Sequence, residues 1–279
     1  MPLIIIPTPV GNLEDMTLRG LRELREADVV ACEDTRRTLR LLNSYEIKKP
    51  LLSCHEHNET SRVEEIMARL ERGERVALVS DAGTPGLSDP GWIIAREAAE
   101  RGYDVDALPG ANALLPALLL SKLPMESFLF VGFLDGRTED KRRRLEEIKR
   151  IKDTLVFYIS PHRLLKELAF IAETLGNRRA ALVREISKVH QESIQGTLLS
   201  LCDTIPEEKI RGEFVCVISG AEEDCDEAEE SGKWREEACE LSKKGETTKD
   251  IANALSIKYG IQKNVIKKFL IESTREADQ

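Results

Sequence analysis

A chain of 279 residues with 41% hydrophobic residues is long enough for two compact domains and a small appendage, and reads as a soluble globular protein. The apolar run at residues 3–6 stops at Pro7, and that at 113–120 is interrupted by Pro116 and followed by Lys122, which excludes a membrane span or signal peptide and implies a cytoplasmic protein with no membrane partner. The formal charge of −9 argues against nucleic acid at first sight; yet setting aside Glu222, Glu223, Asp224, Asp226, Glu227, Glu229 and Glu230 leaves −2, so the remainder can carry local basic patches.

Strands are expected near 3–8, 28–33, 50–54, 75–80 and 103–108, each followed by a helix, which is the rhythm of a parallel α/β sheet. The helix over 59–72 sets Val63, Ile66, Met67 and Leu70 on one face, a core stripe. There is neither a GxGxxG after the first strand nor a GxxxxGK[ST] motif. Instead the first strand runs into the rigid turn Pro7-Thr8-Pro9-Val10-Gly11-Asn12-Leu13. The second strand ends in Cys32-Glu33-Asp34-Thr35-Arg36-Arg37 and the third in Cys54-His55-Glu56-His57-Asn58.

The fourth strand, Val76-Ala77-Leu78-Val79, opens into residues 80–91, a loop in which Gly83, Gly86 and Gly91 let the backbone turn while Pro85 and Pro90 fix its shape. Asp81 offers a carboxylate at the strand's end. Clusters of this composition also make ordinary turns, and that reading stands beside a ligand-binding one. The fifth strand leads into Leu108-Pro109-Gly110-Ala111-Asn112-Ala113 before a helix. Three Pro-Gly loops on one sheet edge, none carrying lysine or arginine, suit a phosphate-free and partly apolar ligand.

A second α/β domain follows: a strand at 128–131, a charged helix at 138–151, a strand at 154–158, a helix at 161–175, and strands near 180–186, 190–196 and 213–219 close enough to pair antiparallel. The boundaries read as 1–115, 116–220, an acidic linker at 221–232 and a helical segment at 233–279. That last segment reads as three short helices broken at 244–246 and 260–262, with apolar Ile251, Leu255, Ile257, Val265, Ile266, Phe269 and Leu270. With Lys258, Lys263, Lys267 and Lys268 it is compatible with a helix-turn-helix or with a plain three-helix packing module. Six cysteines at 32, 54, 202, 216, 225 and 239 form no CxxC pair and read as reduced, mostly core residues.

The motifs PTPVGNLEDMTLR, ACEDTR, HEHN, LVSDAGTPGLSDPG, FYISPHR and RGEFV, in this order over residues 3–219, resemble the tetrapyrrole methylase family, and within it the branch of 16S ribosomal RNA cytidine 2′-O-methyltransferases. The resemblance implies a two-domain tetrapyrrole methylase fold, with a parallel-sheet first domain and a mixed-sheet second, plus the small helical domain. It also implies a homodimer and a cleft that holds S-adenosylmethionine. Carried over by motif, Pro9, Val79, Ser80, Asp81, Thr84, Asn112 and Ala113 line the cofactor from the first domain, and Tyr158, Ile159 and Glu185 from the second. The chain departs from the branch at Ala111, where proline is usual, and at Val131 and Ile159, where glutamate is usual. Ile159 is therefore kept only as a packing wall.

Methyl transfer from a sulfonium to a 2′-hydroxyl needs alignment and removal of a proton. Asp34 or His55 is the candidate base and Arg36 a candidate phosphate clamp; Asp34 can equally cap the next helix, and His55 can be a satisfied surface imidazole. A metal at His55-x-His57 lacks a third clustered ligand, so none is expected. Lys141, Arg142, Arg143 and Arg144, with His162 and Arg163, form the candidate RNA-backbone patch, against a solvated helix face. The expected partner is 16S rRNA in the small ribosomal subunit. The alternatives are a tetrapyrrole C-methylase, disfavoured by the glycine-poor first loop, and a non-catalytic nucleic-acid-binding regulator acting through its tail.

Overall fold

Five short strands, β1 (Leu3–Ile5), β2 (Val29–Cys32), β3 (Leu51–Ser53), β4 (Val76–Val79) and β5 (Val105–Ala107), form a parallel sheet in the order β3-β2-β4-β1-β5 in the computed structural model. Every residue of β2 and β4 is buried, because both faces of the sheet are covered and alternate side chains enter different cores. Leu24 of α1 (Leu18–Glu26) and Leu42 of α2 (Thr35–Ser44) pack with Ile4, Val30, Ala77 and Val79. Val63 and Ile66 of α3 (Glu59–Glu71) and Ile94 of α4 (Trp92–Glu100) pack with Leu3, Ala31 and Leu78.

The strand order has a consequence for function. From β1 the chain leaves across β4 towards β2, whereas from β4 it leaves across β1 towards β5. Adjacent strands whose connections depart in opposite directions open a crevice at their carboxyl ends, where open α/β sheets bind ligands.

A second sheet runs β6-β7-β10-β8-β9, from β6 (Phe128–Phe133), β7 (Thr154–Ile159), β8 (Arg179–Arg184), β9 (Glu192–Thr197) and β10 (Phe214–Ile218). It is mixed: β6 and β7 are parallel, and the remaining pairs are antiparallel, β8 with β9 among them. β10 lies between β7 and β8, a long-range pairing that leaves no local mark in the sequence. Leu114, Ala117 and Leu118 of α5 (Leu114–Ser121) cover one face through Val156, Val183, Val215 and Val217. Pro116 is tolerated there because it lies in the first helical turn, where the backbone N–H has no intrahelical acceptor. The alternate residues Phe157, Leu182 and Cys216 are buried on the other face. Three further helices, α6 (Thr138–Ile148), α7 (Leu164–Leu175) and α8 (Leu198–Thr204), complete this part, α7 touching both others.

The structure describes residues 2–55, 59–221, 233–243, 246–259, 263, 265–267, 269, 270 and 273. Outside them lie residues 222–232 of the expected linker, Cys225, Glu56 to Asn58, Lys268, and the expected breaks at 244–245 and 260–262; nothing is described of the Ile257 side chain. Both sheets belong to one compact unit, Met1–Lys149 with Asp153–Ser219. A second unit comprises Arg150–Lys152 and Gly220–Gln279. In it α9 (Lys233–Lys243) and α10 (Thr248–Tyr259) share a core of Trp234, Ala238, Ile251, Ala252 and Leu255 with Ile266 and Leu270. Phe269 meets Trp234 edge-on at 5.2 Å. Lys258 pairs with Glu237 at 2.7 Å, which also accepts from the Tyr259 hydroxyl. Among the described residues no helix is long and apolar enough to cross a membrane. The Cys54 and Cys216 thiols are pushed up to about 12 by burial, so these cysteines behave as small apolar residues.

Candidate active site

The loops after β1, β4 and β5 interlock at the switch point. Thr8 and Gly83 exchange two backbone hydrogen bonds of 2.8 Å, and the buried Thr8 hydroxyl donates to the Ser80 carbonyl at 3.0 Å. Gly83 makes this possible with φ +83°, a conformation that L side chains rarely adopt. The Thr84 hydroxyl donates to the Ala111 carbonyl at 3.1 Å, and a Cβ on Gly110 would meet the Pro7 Cβ at 2.7 Å, so the third loop is seated directly on the first. Asn112 accepts from the Leu115 N–H at 2.9 Å and so opens α5.

This scaffold faces the ends of β7 and β10 across a cleft of about 350 Å³. Thr84, Asp89, Asn112 and Ala113 line one wall; Tyr158, Ile159, Phe133 and residues 212–215 line the other. Phe130 and Phe133 hold the Tyr158 ring edge-on, with centroids 5.0 and 5.5 Å away. The cleft falls within the size range of small-molecule sites and is mostly apolar with a few convergent polar groups.

Two groups in its lining, Asp89 and Tyr158, are strongly perturbed. Burial, then the neighbouring Glu33 charge, pushes the Asp89 carboxyl up to about 7 despite a hydrogen bond with Ser80. Burial and the Asp89 charge push the Tyr158 phenol up to about 12. Outside the lining, burial and then Asp81 raise the Glu33 carboxyl.

Of the sequence-derived cofactor residues, Thr84, Asn112, Ala113, Tyr158 and Ile159 line the cleft. Pro9, Val79, Ser80, Asp81 and Glu185 stand behind or beside it. Val79 and Ser80 are buried in the scaffold, and the Ser80 hydroxyl donates to the Gly83 carbonyl at 3.2 Å. Pro9 follows Thr8 in the interlocked turn and is half-buried. Asp81 accepts from the Asp34 N–H at 3.0 Å and pairs with Arg37 at 3.1 Å. Glu185, with φ +51°, accepts from the Glu213 N–H and from Lys188, both at 3.1 Å; burial opposes its charge, but these partners hold its carboxyl below the ordinary value.

Asp34, Arg36 and His55 do not line the cleft. Asp34 caps α2 by accepting from the Arg36 N–H at 2.8 Å, and the Arg36 guanidinium grips the same carboxylate at 3.0 Å. These bonds bring the Asp34 carboxyl down to about 2, which makes it a weak proton acceptor. Among the described residues no three His, Cys, Asp or Glu side chains converge as a metal site; His57 lies outside them.

The basic run on α6 is paired throughout: Lys141 with Glu167, Arg142 with Glu173, Arg143 with Asp140 and Arg144 with Glu147, at 2.9–3.3 Å. Arg163 lies 3.3 Å from both Asp135 and Glu167, and His162 is exposed at the start of the same segment. Sequence reasoning missed Asp89 and Phe133, and quoted RGEFV without assigning its residues. For Asp89 and RGEFV the one signal was membership of the motifs, since composition cannot tell which loop carboxylate turns inward; Phe133 lies outside every motif.

Residues 2–202 match the family Tetrapyrrole (Corrin/Porphyrin) Methylases. The chain is 40% identical over 270 residues to "Ribosomal RNA small subunit methyltransferase I" of Bacillus subtilis (strain 168), covering 95% of this chain and 92% of that protein. The protein of the same name from Thermotoga maritima is 46% identical over 220 residues, which are 79% of this chain and 99% of the relative. Among solved structures, diphthine synthase superposes with a TM-score of 0.61 at 18% identity, covering 78% of this chain and 90% of that one. Uroporphyrin-III C-methyl transferase from Thermus thermophilus, complexed with S-adenyl homocysteine, superposes with a TM-score of 0.55 at 19% identity, covering 78% and 96%.

Proposed function

The chain belongs to the tetrapyrrole (corrin/porphyrin) methylase family, and from that premise we propose that it uses S-adenosylmethionine to methylate the 2′-hydroxyl of a cytidine in 16S ribosomal RNA. The observation that carries the reading is the cleft at the β1/β4 switch point, one wall built by the interlocked loops and the other by the end of the mixed sheet. The cleft fits the cofactor on its own terms. Gly83 lines it without a side chain, Tyr158 offers an aromatic face, and Thr84 and Asn112 bring polar atoms to an otherwise apolar wall. S-adenosylmethionine supplies a methyl group on a sulfonium, which leaves as a neutral thioether.

Thr84, Asn112, Ala113, Tyr158 and Ile159 would hold the cofactor directly. Pro9, Val79, Ser80, Asp81 and Glu185 would do so by shaping the backbone around it. The proton of the acceptor hydroxyl would pass to Asp89, which lines the cleft and is poised near neutrality. Asp34 and His55 would act at most from outside the lining, with Arg36 holding the end of β2 in shape. The α6 run, with His162 and Arg163, would make peripheral contacts with the RNA backbone, weakened by the carboxylates already beside it.

The same proposal includes the division at residues 115 and 220, a cytoplasmic setting and a homodimer. Exposed Leu115 and Leu119 on α5 are apolar surface of the kind an interface covers. The test is transfer of tritium from methyl-labelled S-adenosylmethionine to small ribosomal subunits that lack the modification. Label in the rRNA supports the reading; unlabelled rRNA from an enzyme that binds the cofactor overturns it.

A further inference from the structure

Beside the cleft, the ends of β8 and β9 and the segment before β10 enclose an open hollow of about 550 Å³. Arg184, Lys209, Arg211 and His190 contribute to its lining, with Glu192 and Glu208 as the carboxylates. Three permanent cations thus meet two carboxylates, and the distribution is uneven. Glu192 is taken up by Lys209 at 2.7 and 3.0 Å and lies only 3.8 Å from the Arg184 guanidinium. No ion pair engages Arg211 among the described residues.

Arg184 is the unusual member. Its side chain is only 7% exposed, and its Nε is buried with no hydrogen-bond partner. A buried guanidinium whose Nε has no hydrogen-bond partner and whose one ion pair among the described residues is with a shared carboxylate 3.8 Å away bears a desolvation cost at that donor that its protein hydrogen bonds do not offset. An anion accepting from the planar fork would offset it, and phosphate oxygens suit that fork.

The hollow also has a meaningful position. Arg211 lines it, and the next residues, Gly212 and Glu213, line the cleft. A nucleotide whose ribose entered the cleft would carry its flanking phosphate along this segment. We propose that the hollow at Arg184, Lys209 and Arg211 binds a backbone phosphate of the RNA strand and thereby registers the acceptor nucleotide against the cleft. This rests on the reading that the acceptor is RNA.

The test uses the full-length chain and a fluorescein-labelled single-stranded RNA, with anisotropy measured across a KCl series and S-adenosylmethionine affinity measured in parallel by calorimetry. Arg211→Gln replaces an exposed side chain. It is expected to weaken RNA binding at low salt and to reduce the slope of log affinity against log salt by about 0.7, one phosphate contact on a single strand. Arg184→Lys, which keeps the charge but loses the fork, is expected to weaken RNA binding with the cofactor affinity retained. RNA affinity and slope unchanged in both variants overturn the proposal. So does inorganic phosphate that binds wild type but not Arg211→Gln while RNA binding ignores the substitution, which makes the hollow a free-anion site. Wild type that binds S-adenosylmethionine but no RNA overturns the RNA reading itself, an outcome distinct from a failure of the hollow alone.

Discussion

The backbone N–H of Asp34, at the end of β2, donates a 3.0 Å hydrogen bond to the carboxylate of Asp81, at the end of β4. Arg37 pairs with the other oxygen of that carboxylate at 3.1 Å, so one side chain ties the acidic loop of β2 to the long loop of β4. Asp81→Ala removes a charge-assisted hydrogen bond of about 1.5–3 kcal/mol. The expected result is a calorimetric loss of roughly 10-fold or more in S-adenosylmethionine affinity. An unchanged affinity would mean that the loop keeps its shape without the tie.

Asp89 should be visible in the pH profile. With its carboxyl pushed up to about 7, its ionised, proton-accepting fraction grows as pH rises through neutrality, and methyl transfer should rise with it. Asp89→Asn should cost about 10²–10⁴ in kcat and leave a flat profile, with cofactor binding retained. A steep profile surviving in the variant would assign the proton to another group.

Stability should respond to the same residue with the opposite sign. A carboxyl whose folded value lies above its unfolded value binds more protons in the native state between about pH 4 and pH 7. Its contribution is therefore present in acid and lost as pH rises through 7. The melting temperature of Asp89→Asn relative to wild type should increase from pH 5 to pH 8, as read by calorimetry; a constant difference would mean that Asp89 is not perturbed.

Gly110→Ala places a methyl group 2.7 Å from the Pro7 Cβ. Overpacking of this kind costs about 1–3 kcal/mol and here must part the first loop from the third. A lower melting temperature together with weaker S-adenosylmethionine binding is expected. Weaker binding without destabilisation would contradict the seating of these loops on each other.

The helical unit should be separable from the cleft. A whole relative aligns with 79% of this chain, and every cleft residue lies in the first unit. Removal of residues 221–279 should leave S-adenosylmethionine affinity within roughly 3-fold, less than 1.4 kcal/mol. Trp234→Ala should cost about 3–5 kcal/mol within the helical unit alone, read as a shifted second transition on heating. Loss of cofactor binding in the truncated chain would favour a regulator that works through its tail.

The parts of the fold legible in the sequence are those written in local pattern. β2 and β4 are apolar at every position because both faces are covered, and the Pro-Gly loops after β1, β4 and β5 mark the strand ends that meet at the switch point. What escaped depends on distant partners. β10 enters between β7 and β8 without a local signal, and Lys141 and Arg142 are neutralised by Glu167 and Glu173 from α7, 26 and 31 residues away. Asp81 and Asp89 share one loop and one chemistry, and only the folded path separates the carboxylate that ties loops from the one that lines the cleft.

The central claim is that this cleft directs methyl transfer to a cytidine ribose in rRNA. Nucleoside mass spectrometry of small-subunit rRNA treated with the enzyme and S-adenosylmethionine tests it most directly. The expected result is one added methyl group recovered as 2′-O-methylcytidine, in a linkage that resists alkali and is absent with Asp89→Asn. Methyl found on a base, or on an added porphyrinogen and not on the RNA, would contradict it.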